Sequence, residues 1–101
     1  LFVSFDYCCK GTSSTYRIMV GRSSAITGPY TDRNGTAMTS GGGTEILASH
    51  SPIIGPGGQS VLVDSDNTLL VYHYYDGNAN GLNKLGINFL SWDSAGWPYV
   101  W

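Results

Sequence analysis

The chain has 101 residues, 42% hydrophobic, 13% aromatic and only 12% charged, with a formal net charge of −2. Low charge with many aromatics argues against a disordered chain, and a single Glu (Glu45) with two Lys (Lys10, Lys84) leaves too few helix formers for a helical bundle. The five Lys and Arg are scattered and no apolar run approaches the roughly 18 residues of a membrane span, so neither a nucleic acid nor a membrane is expected as partner.

In chain order, period-2 alternation and β-branched or aromatic enrichment predict strands near 1–6, 16–23, 44–48, 59–64, 69–76 and 84–92, with a last one at 99–101. Leu1-Phe2-Val3-Ser4-Phe5 reads as the middle of a strand with no Met before it, as if the chain were cut from something larger. Turn chemistry separates the strands at Lys10 to Ser14, Asn34-Gly35, Gly41 to Gly43, Asp64 to Asn67 and Gly77 to Gly81. Gly55-Pro56-Gly57-Gly58 reads as a tight loop or a close backbone approach, since no Lys or helix start follows to make it a phosphate loop. No window carries an apolar stripe at helical spacing, and the fold class is all-β.

An internal repeat organises these strands. Val3 to Tyr7, a Gly/Ser/Thr loop, then Tyr16 to Ser23 and a Pro29-Tyr30 ending echo Val71 to Tyr75, a Gly/Asn loop, then Lys84 to Ser91 and a Pro98-Tyr99 ending. The offset is 68 from Val3 to Val71, 68 from Ser23 to Ser91 and 69 from Tyr30 to Tyr99. Repetition of small sheets is how propellers protect their edges. Two copies cannot close a ring, so most of such a molecule would lie elsewhere.

Few residues offer chemistry. Cys8 and Cys9 are the only cysteines, so they are either free thiols or a vicinal disulfide between neighbours. His73 shares a strand face with Val71 and Tyr75, where a histidine is either a satisfied interior residue or, in a propeller strand near the axis, a ligand for a cation or an anionic group. His50 reads as a loop residue. Asp32, Asp64, Asp66 and Asp93 read as solvated turn formers, whereas Asp6 and Asp76 end equivalent repeat strands and could face a cleft. Nothing pairs them as an acid and a base. Asn34-Gly35-Thr36 is a glycosylation sequon on a turn.

Leu1 to Gly11, Ser14 to Ser23 and Ile26 to Tyr30, followed in order by Gly41 to Thr44, Gly55 to Gln59, Val71 to Asp76 and Gly96-Trp97-Pro98, resemble the C-terminal part of the endo-1,5-α-L-arabinanases of glycoside hydrolase family 43, in wording nearest the secreted fungal members. The resemblance implies a five-bladed β-propeller, with residues 1–48 as most of blade four and 55–101 as blade five. It implies an extracellular, inverting hydrolase acting on internal links of arabinan or arabino-oligosaccharide, with acid and base far enough apart to admit water. The family's catalytic carboxylates belong to earlier blades, so no catalytic residue is expected here, and the missing N-terminal blades become the expected partner. The Cys-Cys pair of the family matches Cys8 and Cys9, which would offer an apolar platform to a furanose ring. Its channel histidine matches His73, beside a calcium or other ion. From composition alone, a free-standing β-sheet carbohydrate-binding module remains the competing reading.

Overall fold

The computed structural model describes residues 1–101 and forms two antiparallel sheets. The first joins β1 (Phe2–Phe5), β2 (Arg17–Val20) and β3 (Thr44–Leu47) in that order. The second joins β4 (Ile53–Asp64), β5 (Asn67–Asp76), β6 (Leu82–Trp92) and β7 (Pro98–Val100). Three single turns of 3-10 helix sit in the connections, at Gly11–Ser13, Met38–Ser40 and Gly77–Ala79. No helix is long and apolar enough to cross a membrane.

Every strand expected from alternation is present, but β4 starts earlier than its β-branched signal. Gly55 to Gly58 lie inside β4 rather than in a loop, as two bulges that shift the register against β5 between Ile54 and Gly57 and between Gly57 and Ser60. Both bulges rest on glycine: Gly55 and Gly58 have φ of 57° and 59°, a left-handed region that costs other residues strain. Gly57 answers a different need, since a Cβ there would sit 2.1 Å from the Tyr16 ring. Close approach was therefore legible in the four residues, and the bulged strand was not.

The core is the interface between the sheets. Ile18 and Leu70 are fully buried and cluster with Tyr72 and Leu90, flanked by Phe2, Ile46, Leu47, Ile53, Tyr74 and Val100. Full burial of one such aliphatic side chain stabilises by about 1.5–3 kcal/mol. Ser4 adds a polar tie, donating from Oγ to Gln59 Oε1 at 2.8 Å while accepting from Gly58 N–H at 3.0 Å.

The packing corrects the repeat by one residue. Ser4 pairs with Ile18, so β1 and β2 turn their even-numbered residues toward the second sheet. Leu70, Tyr72 and Leu90 show that β5 and β6 also turn even-numbered residues toward the first sheet. In a propeller one rotation carries a blade onto the next, so the face leading forward must map onto the face leading forward. An offset of 68 would map Ser4 onto Tyr72, which leads backward. With β1 paired to β2 and β5 to β6 in the observed registers, offsets of 69 for the first strand and 67 for the second satisfy both pairing and facing. A slip of one residue exchanges the two faces of a strand.

At one end of the interface the connection after β2 meets the turn before β7. The Arg22 guanidinium lies 4.3 Å and that of Arg33 5.5 Å from the centroid of the Trp97 ring. Arg22 Nη1 donates to the Ala95 carbonyl at 2.7 Å and Arg33 pairs with Asp93. Asp93 in turn accepts from the N–H groups of Ala95 and Trp97, both at 2.9 Å. The Arg33 guanidinium, then these amides, hold its carboxyl below the usual carboxylate range.

Candidate functional site

The Cys8–Cys9 turn, Tyr75 and His73 meet at the opposite end of the sheets, where β1 leaves for β2 and β5 for β6. Cys8 and Cys9 form a vicinal disulfide, which resolves the alternative that composition left open. Cys9 is exposed and Cys8 half-buried, with Tyr7 exposed beside them and the Lys10 ammonium 5.2 Å from the Tyr7 ring centroid. Cys9 has φ of 69°, which aims its N–H inward at the Tyr75 hydroxyl, 2.7 Å away.

Tyr75 is 4% exposed and belongs to the same strand face as His73. Its ring meets the imidazole edge-on at 5.6 Å between centroids, and its hydroxyl lies 3.5 Å from His73 Nε2. Tyr16 covers the imidazole at 5.9 Å. Bare Gly58 completes the pocket around the ring, because a Cβ there would stand 2.8 Å from His73 Nδ1. Sequence reading singled out the cysteines and His73 separately and missed Tyr75, which joins them. The period-2 placement of His73 and Tyr75 on one face was the available signal.

The remaining candidates are occupied elsewhere. Asp6 accepts from Arg17 Nε at 2.8 Å, and Glu45 takes Arg17 Nη1 at 3.1 Å, in an exposed network of little energetic consequence. Asp76 does not face a cleft as an acid: it accepts from Lys84 Nζ at 2.6 Å and caps the following turn through Asn78 N–H at 2.8 Å. Lys84 and then that amide hold its carboxyl below the usual range, so it stays ionised near neutrality and has no proton to give a leaving group. His50 Nδ1 sits 2.9 Å from the Ala48 carbonyl, a local contact in its connection.

Asp32 overturns its expected role. It is 8% exposed rather than solvated, and its two oxygens accept from the N–H groups of Asn34 at 3.0 Å, Thr36 at 2.9 Å and Gly43 at 3.0 Å. A loop needing internal partners for its amides has drawn a carboxylate into its centre. The Gly43 amide first and that of Thr36 next lower its pKa. A carboxylate whose folded pKa is depressed stabilises the fold above its unfolded pKa, near 3.9, and loses that contribution as pH falls through the folded value. Asp32→Asn is therefore expected to be less stable than the parent at pH 7, with the gap closing below about pH 4; chemical denaturation at both pH values measures it.

No group of three His, Cys, Asp or Glu side chains gathers as a metal site. A calcium ion takes six to eight oxygens, and His73 offers one nitrogen beside two phenol rings and a glycine. These residues alone do not fit a calcium cage. The largest hollow, lined by Arg22, Ser23, Ser24, Pro29 and Thr31, lies at the other end of the first sheet and has no carboxylate, histidine or cysteine in its lining.

Comparison with known proteins places this geometry. The chain is 51% identical over 98 residues to the extracellular endo-α-(1→5)-L-arabinanase 1 of Bacillus subtilis, covering 97% of this chain and 29% of that protein. Fungal arabinan endo-1,5-α-L-arabinosidases of Aspergillus clavatus and Aspergillus aculeatus match at 41% and 43%. It superimposes on the crystal structure of an exo-1,5-α-L-arabinanase from a bovine ruminal metagenomic library with a TM-score of 0.96 at 42% identity, over 99% of this chain and 33% of that one. It also matches a Cellvibrio cellulosa α-L-arabinanase complexed with arabinohexaose, with a TM-score of 0.94 at 40% identity, over 98% of this chain and 31% of that one. The chain thus spans about a third of the length of these relatives, and its two sheets are blades of their five-bladed β-propeller. The family model for glycosyl hydrolases family 43 matches residues 1–98, and the chain belongs to that family.

Proposed function

We propose that this chain is part of a secreted enzyme that hydrolyses α-1,5-linked arabinan with inversion, and that it supplies blades four and five while other blades supply the acid and the base. The identity of more than 40% to arabinanases across nearly the whole chain carries the reading. The commitments of the carboxylates support the division of labour: Asp6, Glu45, Asp32, Asp76 and Asp93 are each engaged by an arginine, a lysine or backbone amides, and Asp64 and Asp66 sit exposed at the β4–β5 turn, away from the cysteine turn. Relatives named for both endo and exo action match this chain, so internal cleavage is the finer part of the proposal.

In this reading the exposed Cys8–Cys9 ring forms a flat apolar platform for one arabinofuranose unit, and His73 lines the propeller channel. An ion there would take one imidazole nitrogen from His73 and its other donors from water or from groups outside this chain. Metal content of the whole protein is then expected to fall on His73→Ala, and unchanged content would remove the ion from the proposal.

The deciding assay compares the 101-residue chain with the whole protein on linear α-1,5-arabinan, following reducing ends and the anomer first formed. Turnover with inversion by the whole protein and none by the chain is expected. Turnover by the chain would show that its own carboxylates suffice, and retention would contradict the inverting mechanism. A folded, monomeric, sugar-binding chain would favour the carbohydrate-binding module instead.

A further inference from the structure

We propose that Tyr75 is a positioning residue that ties the Cys8–Cys9 turn to His73 and makes the two sites one mechanical unit. The inference rests on the arabinan reading only for what the unit serves, since the coupling itself is carried by geometry. One buried phenol touches both groups: its oxygen accepts the Cys9 N–H at 2.7 Å and lies 3.5 Å from His73 Nε2. A phenol has one proton to donate and lone pairs to accept with. With Cys9 N–H filling one acceptor position, the second lone pair of the Tyr75 oxygen can take Nε2–H, which orients the ring and leaves Nδ1, on the Gly58 side, as the nitrogen open to an ion. The edge-on contact at 5.6 Å fixes the same orientation sterically.

The neighbours leave His73 little other support. Tyr16 packs on it and Gly58 yields it space, but no second polar side chain shares a hydrogen bond with the imidazole. The flanks of the turn are held within their own connection, Lys10 N–H by Ser14 Oγ at 2.9 Å and Thr15 N–H by the Tyr7 carbonyl at 2.8 Å. Cys9 is exposed, and Tyr75 is the partner of its amide from within the sheet. Tyr75 is the side chain that touches both the Cys9 amide and His73, while the Tyr7–Thr15 hydrogen bonds reach the imidazole only by way of the neighbouring Tyr16.

The test reads His73 directly, by the nitrogen NMR signals of its imidazole in the whole protein. A water-soluble phosphine reduces Cys8–Cys9 by two electrons, with two protons taken up to give two thiols. In the parent this is expected to move the His73 ring signals and to raise KM for arabino-oligosaccharides about threefold to tenfold with kcat little changed, the loss of roughly one hydrogen bond. In Tyr75→Phe the ring signals should already be displaced and reduction should move them no further, whereas KM, already raised, should rise again only by the share that the platform itself contributes to sugar contact. Non-additivity of this kind is the mark of residues acting together. Signals unmoved by reduction in the parent, or moved equally in parent and Tyr75→Phe, would overturn the coupling. Reduction of the parent requires no variant, so the test stands if Tyr75→Phe folds poorly. Coupled NMR signals in a protein that leaves arabinan intact would sink the functional reading and keep this one.

Discussion

Ile18→Ala is expected to lower the stability of the whole protein by about 2–5 kcal/mol, read as a shift of the urea midpoint. Ile18 is completely buried and stands where the two sheets share their core, against Leu70, Tyr72 and Leu90. Removing three carbons there forfeits transfer energy and leaves a cavity. The strands on both sides are pinned by hydrogen-bonded registers and cannot collapse into it. Proteins hold only about 5–15 kcal/mol in reserve, so the loss is a large share of the total. Ile26→Ala is the matched control: Ile26 is 92% exposed, and its truncation should stay within about 0.5 kcal/mol. Equal effects of the two substitutions would mean that the sheets do not pack on each other in solution.

What the sequence revealed divides by the range of the physics involved. Alternation is local, and it located all seven strands, including three-residue β7. Facing is not local: the repeat at 68 matched residue types correctly yet assigned Ser4 and Tyr72 to the same face, because only the packing of Ile18 on Leu70 tells which side looks forward. Glycine-rich Gly55 to Gly58 announced close approach, but whether the backbone turned or bulged depended on Tyr16 and His73, which are far away in the chain. Asp32 resembles any Asp in a turn; the arrival of Gly43, eleven residues on, converts it into a buried hub. Cys8–Cys9 and His73 were legible as unusual residues, and their connection was not, since Tyr75 is one of seven tyrosines and only the bent Cys9 amide singles it out. Nothing in the sequence paired Asp6 with Asp76 as acid and base, and nothing in it showed that Arg17 and Lys84, 11 and 8 residues further along, would reach back to them.

Ile87→Lys is expected to have opposite consequences in the chain alone and in the whole protein. The forward face of the second sheet carries Leu85, Ile87 and Phe89 at 68%, 56% and 43% exposure, with Trp101 stacked 5.1 Å from Phe89. Phe89 and Trp101 also exchange two backbone hydrogen bonds, which extends the same face past β7. Under the corrected offsets Ile87 corresponds to Val20, which is 3% exposed because the second sheet covers it. The rotation that covers Val20 would cover Ile87 with a further blade. Where that blade is absent, an apolar face of this kind invites association, and Ile87→Lys should make the 101-residue chain more soluble by sedimentation while leaving its own fold within about 0.5 kcal/mol. Where the blade is present, the same ammonium is buried without a partner and should cost about 3–5 kcal/mol, the penalty measured for uncompensated buried charges. Indifference of the whole protein to Ile87→Lys would show this face open to solvent and would break the closed-propeller assignment at its seam. A loss in both contexts would mean that the face is already engaged within the chain, contrary to the exposure of Leu85 and Ile87.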